Sequence, residues 1–362
     1  MPKADIIEIF FNKQNTKQNQ KLGSKQLQMC ITIIGSLNYD IVTTVKKVPQ
    51  AGETIMATSF DTHIGGKGLN QTVAIAKLCK ALPVRIIGHV GNDSFGKEIL
   101  EALGSYNVNT NYVKVLPGEA NERTGTATII VEEGGQNRIM VTPGANQFTK
   151  YTPTELSQLF SITEDIEYVV LQNEIPDPFN IIRWLHEMKP EYPIIYNPSP
   201  FNACEVPNEI WNFIDILIVN EIEALQIIEK VLPHRYAEVN QKIKVDWQHG
   251  YTTIAFLLVQ EVINKDSKGT VILTLGSRGC IYAGPGTPIS YTPAVKVGRV
   301  VDTTGAGDTF LGGVVSQLVQ GVSLQEAVSF ATVASSLAIQ KEGASSSTPA
   351  FEDVIYEQSK LR

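Results

Sequence analysis

The short apolar runs of this chain are not interrupted by polar residues at every second position, and this narrows the fold more than any other feature. Ile31-Thr32-Ile33-Ile34, Val84 to His89, Tyr168 to Leu171, Ile194 to Tyr196, Ile216 to Val219 and Val271 to Leu275 are each nearly continuous. A strand wetted on one face alternates with period two, whereas one covered on both faces has no polar side to show. Between these runs lie stretches of helical spacing: 69–80 (Leu69, Val73, Ala76 and Leu78), 94–103, 178–188 and 221–231. The alternation predicts an α/β fold, with a doubly wound, mostly parallel central sheet and helices on both faces. Helical patterns over 308–320, 323–340 and 351–360 close the chain. Its 362 residues are 43% hydrophobic and 19% charged, enough for a large core.

Three regions depart from this pattern. Segments within about 41–64 and 108–141 carry β-branched residues broken at Pro49/Gly52 and at Glu133-Gly134-Gly135, and are expected to form a separate small β-sheet lid. Residues 233–268 hold an amphipathic stretch (Ala237 to Ile243), a second from Thr252 to Ile263 and a polar end, and are longer than the rest of the pattern requires. Residues 1–28 are rich in Lys, Gln and Asn after a short apolar patch, with five Lys against Asp5 and Glu8. Such a stretch cannot bury enough apolar surface to offset its ordering entropy, so it reads as a disordered extension, or as sequence upstream of a working start at Met29. Residues 29–362 form the folded domain.

Several functions are disfavoured. Lys and Arg total 30 against 37 Asp and Glu, a net charge of −7, which provides no broad surface for nucleic acid or anionic membrane. No apolar run is long enough to span a bilayer. Cys30, Cys79, Cys204 and Cys280 lack metal-like spacing and read as reduced thiols of an intracellular protein. The expected compartment is the cytoplasm, with the nucleus as an additional one. There is no G-x4-G-K-[ST], because Gly68 follows Lys67, no G-x-G-x-x-G after the first strand, and no HExxH.

The chemistry concentrates in Asp302-Thr303-Thr304-Gly305-Ala306-Gly307-Asp308. A strand-like stretch, Val295 to Val301, runs into this small-residue loop and then into a helix. Gly305 and Gly307 allow close backbone approach, and a helix N-terminus offers unpaired N–H groups and partial positive charge, so Gly305, Ala306, Gly307 and Asp308 read as an anion hole for phosphate. A carboxylate at that hole, Asp308, can take the proton of a hydroxyl that attacks the phosphate.

This string resembles the DTxGAGD signature of the ribokinase-like (PfkB) carbohydrate kinases. Gly65-Gly66-Lys67-Gly68-Leu69-Asn70 is similar to the second signature of that family, and Gly35-Ser36-Leu37-Asn38-Tyr39-Asp40 strengthens the likeness. The resemblance runs from about Cys30 to the C-terminal tail. It implies ATP-dependent phosphorylation of D-ribose at its 5-hydroxyl; 2-deoxyribose, fructose or adenosine are the alternative acceptors. By the same resemblance Asn38, Asp40, Gly66, Lys67, Asn70 and Glu174 contact the sugar. The residues agree: Asp40 can accept from two hydroxyls, and Asn38 can donate and accept. Both stand at the end of the first strand, where ligands of doubly wound sheets bind; as plain sequence, Asn38 and Asp40 make an Asx turn.

The resemblance also places Asn220, Thr274, Gly276, Gly279, Gly307 and Thr332 on the nucleotide. Asn220-Glu221-Ile222-Glu223 matches the family's NxxE motif, with Glu223 reaching Mg²⁺ through water. As plain sequence, Asn220 is a helix cap and the turn at 276–279 is hairpin grammar. A monovalent cation, K⁺, is implied at Asp302 and Thr304 on one side and Ala338, Lys341, Gly343 and Ser347 on the other, mostly through backbone carbonyls. The family's small sheet often pairs two subunits, so a homodimer through the lid is expected.

Overall fold

The computed structural model describes residues 29–80, 82–118, 122–134, 136–161, 166–201, 206–263 and 269–361. The expected extension, 1–28, lies outside them, as does Cys204.

The central sheet has nine strands: β1 (Met29–Ile34), β4 (Val84–Gly91), β5 (Asn109–Leu116), β8 (Ile166–Gln172), β9 (Ile194–Asn197), β10 (Ile216–Asn220), β11 (Thr270–Thr274), β12 (Cys280–Gly284) and β13 (Thr287–Thr292). Their order is β13-β12-β11-β10-β9-β8-β1-β4-β5, all pairs parallel except the antiparallel β11-β12 and β12-β13. Each inner strand feeds two cores. Ile31, Ile33, Val170, Ile218 and Ile272 enter one; Ile34, Val169, Leu171, Leu217, Val219, Val271 and Leu273 enter the other. Side chains one apart point to opposite faces, so a strand buried twice shows no alternation in sequence.

One face is covered by α1 (Lys67–Leu78), α8 (Ala306–Leu318) and α9 (Leu324–Ala338). The other is covered by α3 (Pro153–Leu159), α4 (Pro178–Met188), α5 (Glu221–Val231), α6 (Pro233–Val245) and α7 (Trp247–Leu257). Helix α2 (Ser94–Ser105) packs with α1, β4 and β5, while α10 (Phe351–Leu361) lies on α9. The long 233–263 stretch is part of the core layer: Val239, Tyr251, Ile254, Ala255 and Leu258 are buried there. Among the described residues no helix is long and apolar enough to cross a membrane.

A second sheet has the order β3-β2-β6-β7, with β2 (Asn38–Val45), β3 (Ser59–Gly65), β6 (Gly125–Glu132) and β7 (Asn137–Thr142). The structure corrects three expectations. β5 pairs with β4 and is the edge of the central sheet, so 109–116 is not in the small one. Asn38 and Asp40 do not end the first strand; they open β2 of the small sheet, after the bend at 35–37. Val295 to Val301 forms no strand. It is held instead by backbone bonds such as Val301 N–H to Ile339 C=O at 2.8 Å.

Candidate active site

The bend between β1 and β2 carries the polar residues toward α1. Asn146 clamps it. Its Oδ1 accepts from Leu37 N–H (2.8 Å), and its Nδ2 donates to Leu37 C=O (3.2 Å) and to Asn38 Oδ1 (2.7 Å). The Asn38 side-chain oxygen is thereby spent, and its amide N–H groups donate to no acceptor among the described residues. Two residues on, and so on the same face of β2, lies Asp40. Burial, and then the charge of Glu174, push its carboxyl up to about 7. The adjoining glycines are required by space: a Cβ on Gly65 would overlap the Asp40 carboxylate, and one on Gly66 (φ +88°) would sit 3.0 Å from Asn38 N.

Gly66 has no side chain with which to cap α1. Glu174, just beyond β8, does it instead. Its Oε2 accepts from Lys67 N–H (2.9 Å) and from Ser36 Oγ–H (2.6 Å), and Ser36 Oγ in turn accepts from Gly68 N–H (3.3 Å). The carboxylate thus complements the helix dipole while Oε1 stays available. Asn70, one turn on, is buried, and its Oδ1 has no hydrogen-bond partner among the described residues.

Gly305 caps α8 in the left-handed conformation (φ +73°), and a Cβ there would lie 2.7 Å from Ala344 Cα. The first i−4 bond of α8 is Thr309 N–H to Gly305 C=O (2.8 Å), so the amides of Gly307 and Asp308 have no helical acceptor. Ala306, expected in the same hole, donates instead to Thr303 C=O (3.2 Å). Asp308 is buried, and its Oδ1 accepts from Gln71 Nε2 at 3.0 Å. Lys67 is half-buried, and its pKa is raised: the charge of Asp308, then those of Glu174 and Glu223, outweigh desolvation. The structure therefore gathers the carboxylates of Asp308, Glu174 and Glu223 around the Lys67 ammonium.

Asn220 caps α5, accepting from Ile222 and Glu223 N–H (both 2.9 Å), while Glu223 Oε2 accepts from Asn220 N–H (3.0 Å). Capping and a further use of Glu223 Oε1 are compatible. Thr274 ends β11, and its hydroxyl donates to Val219 C=O (3.3 Å). Gly276 (φ +53°) and Gly279 (φ +97°) bracket the short turn to β12; Gly276 has open space where a Cβ would stand, whereas Gly279 packs against Thr292 and Ala294. Thr332 is buried and its hydroxyl donates to Val328 C=O (2.8 Å).

Asp302 ties two loops together. Its Oδ1 accepts from Thr304 N–H (2.9 Å) and Oγ–H (2.6 Å), and its Oδ2 from Gly343 N–H (3.0 Å). Burial opposes ionisation here, but these three bonds hold the carboxyl below its ordinary value. Lys341 follows α9 in a turn to Ala338 C=O (3.0 Å), and Ser347 Oγ–H donates to Ala344 C=O (2.8 Å). The 302–304 and 338–347 segments thus adjoin.

Residues 30–350 match the pfkB family carbohydrate kinase profile. The chain belongs to this family. Among the PfkB carbohydrate kinases, a ribokinase of Lactococcus lactis is 34% identical over 324 residues, which cover 90% of this chain and 95% of that one. A ribokinase structure from Cryptococcus neoformans, in complex with ADP, superposes with a TM-score of 0.76 at 30% identity, covering 91% of this chain and 99% of that one. The Arabidopsis thaliana ribokinase complexed with ribose and ATP gives 0.72 at 30% identity, covering 92% and 98%.

The motifs did not disclose Ser36, Gln71, Asn146, Gln172 or Asn197. Gln71 had a signal: it lies four residues after Lys67, on the same helix face. Asn146 had none, because its partners lie more than 100 residues away.

Proposed function

We propose that the chain transfers the γ-phosphoryl group of ATP to the 5-hydroxyl of D-ribose, giving ADP and D-ribose 5-phosphate. The observation that carries this is the buried Asp308 at the start of α8, whose charge acts on Lys67 together with that of Glu174, the carboxylate that also faces Asp40. Asn38, Asp40, Asn70 and Glu174 hold the sugar hydroxyls, with Gly66 giving the backbone room to approach. Asp308 takes the 5-hydroxyl proton as the oxygen attacks the γ-phosphorus. The amides of Gly307 and Asp308, with Lys67, stabilise the charge on the transferring group. Asn220, Thr274, Gly276 and Gly279 flank the nucleotide, with Thr332 in the helix behind the turn.

Two cations fit the donors present. Glu223 Oε1, a hard oxygen beside the phosphate site, would hold Mg²⁺ through water. Asp302, Thr304, Ala338, Lys341, Gly343 and Ser347 offer backbone oxygens in adjoining loops, suited to K⁺. When bound, the two ions supply positive charge to the phosphates and to the loop beneath them.

The small sheet supports a homodimer. Ile139 and Val141 of β7 are 54% and 56% exposed, and their register through Ile129 and Ala127 to Val42 and Asp40 puts them on the Asp40 face. A second copy of this sheet would cover that apolar face and close over the sugar.

ADP release with ribose, 2-deoxyribose, fructose and adenosine, with and without K⁺, tests the reading. Ribose should give the highest kcat/KM; a higher value for adenosine or fructose would overturn it. Asp308→Asn should lower kcat by about 10²–10⁴-fold while calorimetry still records ribose binding.

A further inference from the structure

We infer that Gln71 is the positioning residue of the Asp308 carboxylate, holding it in register with the sheet. This rests on the reading of Asp308 as the base. Gln71 is fully buried on α1, and its whole amide is used. Nε2 donates to Asp308 Oδ1 (3.0 Å) and to Asn197 Oδ1 (3.1 Å), and Oε1 accepts from Gln172 Nε2 (2.7 Å). A glutamine amide has two N–H donors, and here both are spent. Asn197 cannot turn its own amide over, because its Nδ2 donates to Ile218 C=O (2.9 Å). The orientation of Gln71 is therefore decided twice. A flipped amide would set its oxygen against two acceptors and its N–H groups against the Gln172 donor.

The consequence falls on Asp308. With Oδ1 tethered, rotation of the carboxylate is stopped and Oδ2 is the oxygen presented for the incoming proton. Asp308 stands in the first turn of α8, directly after a glycine-bounded loop, and nothing in that turn fixes its carboxylate. Gln172 ends β8 and Asn197 ends β9, so the tether runs from Asp308 through Gln71 to the two strands that floor the site. Loop and sheet are thereby locked to one geometry at the atom that moves the proton.

The test separates tethering from packing. Gln71→Met keeps the volume and removes the donor. Gln71→Asn keeps an amide but retracts it by one methylene, and serves where the Met variant melts early. Gln172→Met disturbs the same buried network yet leaves both acceptors of Gln71 in place, so the amide still faces Asp308. Both Gln71 variants should lose about 10–100-fold in kcat, as a misplacement near 1 Å does, with KM for ribose and ATP changed less than about threefold. Gln172→Met should keep kcat within about threefold even where its melting temperature falls as far as that of Gln71→Met. Unchanged kcat in the Gln71 variants, or an equal loss in Gln172→Met, overturns the inference. If instead Asp308→Asn keeps wild-type turnover, the base assignment fails and the inference falls with it. An inactive Asp308→Asn beside an active Gln71→Met defeats the tether alone.

Discussion

On the function proposed above, the sugar half and the phosphate half of the site are built from different materials. The sugar half is made of side chains that hold one another: Asn146 grips Asn38, Ser36 and the α1 backbone grip Glu174, and burial, with the charge of Glu174 second, lifts the Asp40 carboxyl to about 7. The phosphate half is mostly backbone, with Gly305 and Gly343 at positive φ, the first-turn amides of α8, and an Asp302 that ties one loop to the next. Side chains with fixed donors and acceptors can tell one polyol from another. A backbone cradle recognises charge and shape and serves a group that every reaction cycle shares. Specificity and transfer are therefore separable, and only Lys67 and Asp308 belong to both halves.

The largest break should come from Gly305→Ala. An L-residue at φ +73° is strained, and its Cβ would press on Ala344 Cα at 2.7 Å, so the loop must move away from the phosphate. Disturbing an anion-binding backbone should lower kcat by about 10²-fold and leave ribose binding nearly intact. An equal loss of ribose affinity by calorimetry would show that the two halves are not separable.

The sugar half should respond to pH. In the free protein the Asp40 carboxyl stands at about 7, above its ordinary value. Its ionised form accepts from two hydroxyls, so KM for ribose should fall as pH rises through 7 and level off above it. The same upward shift works against folding: ionised Asp40 is less favourable in the folded chain, so its contribution to stability declines between about pH 4 and 7. Asp40→Asn should flatten the pH dependence of KM and raise KM by about 10-fold or more, the cost of losing charge-assisted bonds. A KM that stays pH-dependent in Asp40→Asn would assign the titration to another group.

How far these features could be read from sequence follows from how local they are. The runs at Ile31 to Ile34 and Ile216 to Val219 announce burial on both faces because each strand carries that information itself. The glycines at 65–66 and 305 stand in short strings whose spacing is set by close approach. Asn109 to Leu116 is β-rich whichever sheet it joins; only the pairing of β5 with β4, set by the preceding α2 crossover, decides. The strand expected over 295–301 fails because its partner is the end of α9, not a neighbouring strand. Asn146 and Asn197 carry no signal in their own neighbourhood until the fold brings Leu37 and Gln71 to them.

The mildest test concerns the small sheet, which carries Asp40 but also an uncovered apolar edge. Ile139, Met140 and Val141 are each more than half exposed on β7, and Phe60 on the opposite edge strand β3 is 64% exposed. An edge strand bearing apolar side chains and unpaired backbone groups is costly for a monomer to leave open. Ile139→Asp places a charge on the face shared with Asp40, where a second copy would have to bury it. Sedimentation should then report a shift from dimer to monomer. The chemistry lies elsewhere, at α8 and α1, so kcat should change by no more than about twofold, the scale of a surface substitution. KM for ribose should rise by a similar small factor, because the sheet that presents Asp40 loses its brace while Asn146 still holds its base. A collapse of kcat in the monomer would mean that the partner completes the phosphate half as well, and the division between the two halves would have to be redrawn across the dimer.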